Sequence, residues 1–73
     1  MQQRITEEIT VNGEFRAYAT QTIRTLLAEQ GIDPDRPGIA VAINAVVIPR
    51  SRWASITVQP GDQVEIVNAT AGG

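Results

Sequence analysis

The residues best suited to chemistry in this sequence are the last two, Gly72-Gly73. They follow Asn68-Ala69-Thr70-Ala71, a stretch with no side chain large enough to pack in a core. A C-terminal carboxylate has a pKa of about 3.3–3.7 and is ionised at neutral pH. Such a group attacks the α-phosphate of ATP and becomes an acyl-adenylate, whose carbonyl is open to a second nucleophile. A tail without side chains threads a narrow channel in another protein, and glycine adopts whatever φ/ψ that channel imposes. From Asn68 the tail reaches about 20 Å at 3.3–3.6 Å per residue. Two glycines at fixed terminal positions arise by chance in roughly 0.5% of chains at average glycine usage. A frayed terminus or an expression remnant is the bland alternative. The expected site is therefore Gly73 as the residue that bears the reacting carboxylate. Gly72, Ala71 and Thr70 are expected to lie against the partner.

No other part of the chain competes for a chemical role. It has no histidine and no cysteine, which removes most zinc sites, Cys or Ser/His nucleophiles, and redox chemistry on the chain's own sulfur. All six basic residues are arginine, so no lysine is present to attack an activated acyl group. The acidic residues are scattered, with no forced carboxylate pair, and no Gly-rich loop precedes a helix as a phosphate cradle. The chain is expected to act as a carrier or co-substrate rather than an enzyme. It would bind no cofactor or metal itself, and ATP and Mg2+ would be used by its activating partner. Six basic residues against eight acidic give net charge −2, and the pI of about 4.8 argues against nucleic acid as a partner. The N-terminus carries Arg4, Glu7 and Glu8 and lacks an apolar leader segment. The longest apolar run, Ile39–Ile43, is five residues, far from the roughly 20 needed to span a membrane. A cytoplasmic protein that does not engage membranes, monomeric on its own, is expected.

A tail of this kind must be carried by a folded body, and 73 residues make one small domain. Ile9-Thr10-Val11 alternates as a strand with Ile9 and Val11 on the core face. Asn12-Gly13 is a strong hairpin signal, and Phe15-Arg16-Ala17-Tyr18 then alternates as a second strand. Thr20 or Thr22 supplies a helix N-cap. Ile23, Leu26 and Leu27 form one apolar stripe, and Gly31-Ile32 closes the helix, predicting a span of about 22 to 30. Residues 33–38 hold two prolines and a glycine and read as a loop. Residues 39–44 form a strand with Ile39, Val41 and Ile43 on one face and the small Ala40 and Ala42 on the other. Asn44-Ala45 turns the chain into a short strand, Val46-Val47-Ile48, which Pro49 ends. Residues 50–54 read as an irregular crossover, with Trp53 as a core or boundary anchor and Arg50 and Arg52 as solvated loop arginines. Pro60-Gly61-Asp62 turns into the last strand, residues 63–67, with Val64 and Ile66 inward. By the same alternation Val67 points away from the core with Glu65, and it is a candidate for a partner-docking patch on the open face that Ala40 and Ala42 share.

The element order is β-β-α-β-β-β. One amphipathic helix and a sheet with one apolar face each need cover, and packing the helix across the sheet serves both. The fold class expected is α+β, a ubiquitin-like β-grasp with a mixed sheet of four to five strands covered on one face by a single helix. The first and last strands would be parallel neighbours at its centre. Residues 1–68 would be the domain and 69–73 a flexible tail.

Several segments, spread over nearly the whole chain, resemble the ThiS family of sulfur carriers in thiamine biosynthesis. They are Val11-Asn12-Gly13-Glu14, Thr22-Ile23-Arg24-Thr25-Leu26-Leu27, Val41-Ala42-Ile43-Asn44, Val47-Ile48-Pro49-Arg50-Ser51-Arg52-Trp53, Pro60-Gly61-Asp62-Gln63-Val64-Glu65-Ile66 and Gly72-Gly73. The terminal Gly-Gly is common to ubiquitin-like carriers. The run from Ile43-Asn44 through Trp53 to Gly61-Asp62 is more specific to this family. The resemblance implies that an E1-like adenylating enzyme activates Gly73. Sulfur from a cysteine desulfurase system then replaces AMP to leave a thiocarboxylate, and thiazole synthase consumes it. The alternatives are a carrier for molybdopterin synthesis or protein modification, and a non-covalent β-grasp interaction domain.

Overall fold

The computed structural model describes residues 7–69 of the 73. Five strands and one helix follow in the order β1 (Glu8–Val11), β2 (Glu14–Ala17), α1 (Ile23–Glu29), β3 (Ile39–Ile43), β4 (Val46–Ile48) and β5 (Gln63–Asn68), with a 3-10 turn at Arg50–Arg52. They form one mixed sheet in the spatial order β2-β1-β5-β3-β4. β5 is central, parallel to β1 and antiparallel to β3. This is the expected β-grasp, with the sheet at five strands.

Local chemistry accounts for the elements. Asn12 (φ 52°) and Gly13 (φ 85°) supply the two left-handed residues that let β1 turn into β2. Asn44 (φ 53°) and Ala45 (φ 70°) do the same between β3 and β4. Thr22, rather than Thr20, caps α1, its hydroxyl accepting the Thr25 N–H at 3.2 Å. At the other end Gly31 N–H reaches the Ala28 carbonyl and Ile32 N–H the Leu27 carbonyl, both at 3.0 Å, which is a Schellman closure. β2 begins and ends one residue earlier than the alternation predicts. Tyr18 lies outside the strand, yet its N–H still bonds the Glu7 carbonyl at 2.9 Å.

The core lies between α1 and one sheet face. Ile23, Leu26 and Leu27 pack against Ile9, Val11, Ile39, Val41, Val64 and Ile66, with Trp53 and Val58 completing the cluster. Burial of each such side chain contributes about 1.5–3 kcal/mol. The Trp53 indole is buried as expected, and its N–H donates to the Ile48 carbonyl at 2.9 Å, so its polar edge is satisfied. Val58 is a further core residue, on the same side as Ile56 in the short alternation Ile56-Thr57-Val58. It is seated because the chain on either side of it hydrogen-bonds the start of α1: Val58 N–H to the Gln21 carbonyl at 2.9 Å and Ile23 N–H to the Ile56 carbonyl at 3.0 Å. Among the described residues no helix is long and apolar enough to cross a membrane.

Candidate functional site

β5 leads the chain to its terminus, so its placement decides where the tail starts. Two turn asparagines hold it from either side. Asn12 N–H donates to the Val64 carbonyl at 2.9 Å, after which the β1 backbone turns away. Its side chain then takes the next position of the ladder: Oδ1 accepts the Ile66 N–H at 2.8 Å and Nδ2 donates to the Ile66 carbonyl at 3.2 Å. Asn44 treats the start of β5 similarly, with Oδ1 accepting the Gln63 N–H at 2.9 Å and Nδ2 donating to Asp62 at 3.0 Å. Asparagine suits both turns because it tolerates the left-handed region and brings its own amide.

The end of β5 meets the loop before β3. Asn68 pairs with Ile39, and the Ala69 N–H donates to the Gly38 carbonyl at 2.8 Å. Ala69, which the sequence assigns to a flexible tail, is thus tied to the body. Thr70, Ala71, Gly72 and Gly73 lie outside the described residues, as do the residues before Glu7.

The loop itself is braced. The Arg50 guanidinium donates to the carbonyls of Pro34 and Arg36, the latter at 2.7 Å, while stacking over the Trp53 ring at 4.6 Å. Arg50 is exposed, as expected of a loop arginine, and it also bonds the chain's own carbonyls. Arg24 of α1 pairs with Asp35 at 2.8 Å. The hydrogen bond from Arg24 is the largest effect on the Asp35 carboxyl; it outweighs the opposing effect of desolvation and, with the charges of Arg24 and Arg50, holds the group below the usual carboxylate range. The same bond raises Arg24.

The open sheet face carries the predicted docking residue. Val67 is 58% exposed and stands opposite Ala40. Ala42 lies beside Glu65 on one flank and Val47, 71% exposed, on the other. Val67, Ala40, Ala42 and Val47 therefore form an apolar strip that begins where the tail leaves. Val47 was legible only once the β3–β4 register placed it opposite Ala42. Phe15, opposite Thr10, is exposed on the same face two strands away. The described residues form no pocket and no cluster of three or more metal-ligating side chains. Among the described residues the arrangement is an exposed apolar surface without a pocket, next to the end of β5.

The model of the ThiS family matches residues 9–73. The sulfur carrier protein ThiS of Escherichia coli K12 is 42% identical over 59 residues, covering 81% of this chain and 86% of that protein. A thiazole synthase of Paramagnetospirillum magneticum is 37% identical over 67 residues, 90% of this chain, and the chain spans 20% of that protein's length. The crystal structure of a thiamine biosynthesis protein (ThiS) from Geobacter metallireducens superposes with a TM-score of 0.74 at 26% identity, covering 90% of this chain and 99% of that one. Its solution structure gives 0.71 at the same identity, covering 90% and 87%. With the family's pattern running from β1 to the terminal glycines, the chain belongs to the ThiS family.

Proposed function

We infer that this chain is a sulfur carrier protein of thiamine biosynthesis and propose that the carboxylate of Gly73 is its reacting group. The observation that carries the reading is the 42% identity to the Escherichia coli sulfur carrier over 86% of that protein. The geometry supports it: the central strand brings Ala69 to the rim of the sheet beside an exposed apolar strip. A partner seated on that strip through Val67 would have the tail, Thr70 to Gly73, directed into its own active site.

The cycle needs an E1-like adenylating enzyme that supplies ATP and Mg2+. A carboxylate oxygen of Gly73 attacks the α-phosphorus, and the bond to pyrophosphate breaks. The partner's metal and donors stabilise the charge that develops. The terminal sulfur of a persulfide, formed by a cysteine desulfurase system, then attacks the carbonyl carbon and expels AMP. A second thiol of that system reduces the resulting S–S bond. This leaves a thiocarboxylate on Gly73 and a disulfide on the donor. Thiazole synthase takes the sulfur. The similarity of this chain to one fifth of a thiazole synthase supports that partnership. A cytoplasmic location, where ATP and reduced thiols are both at hand, suits this cycle.

The test compares the natural chain with a Gly73 deletion and a one-residue extension after Gly73. Both variants should fold with an unchanged circular dichroism spectrum and unfolding midpoint, yet release no AMP with the adenylating enzyme and sulfur donor. AMP release by the extended chain at the natural rate would contradict the assignment.

A further inference from the structure

Four described glycines, Gly13, Gly31, Gly38 and Gly61, take φ between +80° and +88°. For Gly13, Gly31 and Gly61 an added Cβ would meet nothing within 4 Å, so the backbone angle alone explains them. Gly38 differs. A Cβ there would fall inside 3.0 Å of the Ala69 carbonyl oxygen, a backbone atom, and 3.5 Å from its carbonyl carbon. The same glycine's carbonyl accepts the Ala69 N–H at 2.8 Å. The residue that starts the tail thus lies across Gly38, bonded through its N–H and admitted because Gly38 has no side chain. The loop that presents Gly38 is itself held by Arg50 on the Pro34 and Arg36 carbonyls and by Arg24 on Asp35.

We propose that Gly38 is a positioning residue for loading of the carrier, fixing Ala69 as the point from which the tail is measured. The proposal rests on the reading of Gly73 as the loaded end. Four residues, Thr70 to Gly73, follow the anchor, and at 3.3–3.6 Å each they reach about 14 Å at most. An activating partner docked on the apolar strip must therefore hold its nucleotide within that radius of Ala69. A side chain at position 38 pushes the Ala69 peptide away and ends the β5 ladder earlier. The tail becomes longer and less directed, and the carboxylate spends less time aligned with the α-phosphate. Misplacement of a reacting group by about 1 Å is enough to lower a rate by up to 10²-fold.

The experiment uses the full chain with the adenylating enzyme, comparing Gly38→Ala, Ala69→Pro and Gly31→Ala. Gly38→Ala introduces the obstacle. Ala69→Pro removes the N–H that bonds Gly38 without changing any residue of the loop or the core, which keeps the test open if Gly38→Ala folds poorly. Gly31→Ala imposes the same left-handed strain in open space. For Gly38→Ala and Ala69→Pro, kcat for AMP release should fall by about tenfold or more. KM for the carrier should stay within about threefold, because the docking strip is intact. Gly31→Ala should lose thermal stability and keep its kcat. In the free proteins, hydrogen exchange at the Ala69 amide should be slow in the natural chain and in Gly31→Ala, and fast in Gly38→Ala. A natural kcat in folded Gly38→Ala or in Ala69→Pro overturns the proposal, as does an unprotected Ala69 amide in the natural chain. A natural chain that is never loaded while its Ala69 amide is protected overturns the carrier reading, and with it the loading role of Gly38, but leaves the anchor standing.

Discussion

One side chain, that of Asn12, completes a strand pairing that its backbone has already left. Its amide bonds both the N–H and the carbonyl of Ile66 across 54 positions of sequence. Removing it leaves two backbone groups of the central strand without partners, a loss of about 1–2 kcal/mol. Asn12→Gly tests this contribution without backbone strain at φ 52°, the loss including glycine's greater freedom in the unfolded chain. Urea unfolding of Asn12→Gly should show that loss with an unchanged m-value, and an unchanged midpoint would contradict the role. The turn at Asn12-Gly13 was legible in the sequence from local chemistry alone. The side chain's partner was not, because it exists only once β5 lies beside β1. Gly38 is a similar case: next to Pro37 it reads as loop punctuation, and its contact with Ala69 appears only when the ends of β3 and β5 meet.

Strand and helix positions were the most legible, since alternation and the Ile23, Leu26, Leu27 stripe respond directly to which face is buried. Val64 and Ile66 point inward and Val67 outward as the pattern of two requires. The connecting elements were less so. Arg50 looks like a solvated loop charge in sequence, yet it fixes residues 34–36 because the 3-10 turn brings it under that loop. Val58 alternates with Ile56 across Thr57, a pattern too short to announce a strand, and the chain forms only an isolated bridge there. The Arg24–Asp35 pair that braces the same loop is exposed and responds to acid. Asp35 is held below the usual carboxylate range, so the pair's contribution is fully present above the unfolded-state value. It is lost as pH falls through the depressed folded value. By NMR the Arg24 guanidinium signals should stay constant from neutral pH into the ordinary carboxylate range and shift only below it. Asp35→Asn should abolish that shift, and a shift that persists in Asp35→Asn would contradict the pairing.

The whole molecule is a sheet with two purposes. One face closes the core on α1; the other stays open, with Val67, Ala40, Ala42 and Val47 in a strip next to the tail's point of departure. Because Val67 is exposed, Val67→Asp should change the unfolding free energy by no more than about 0.5 kcal/mol. A carboxylate buried in a docked interface should weaken binding of the adenylating enzyme by tenfold or more, about 1.4 kcal/mol. Unchanged affinity by calorimetry would remove the strip from the interface. The body's architecture followed from burial patterns, whereas the proposal that Gly73 bears the reacting carboxylate rests on the Gly72-Gly73 pair and the likeness to a sulfur carrier. The measurement that reaches this claim most directly is intact-mass spectrometry, with peptide mapping, after incubation with ATP, the adenylating enzyme and a sulfur source. The account predicts the gain of one sulfur for one oxygen, confined to the peptide that ends in Gly73. No mass change, or a change located elsewhere in the chain, would contradict it.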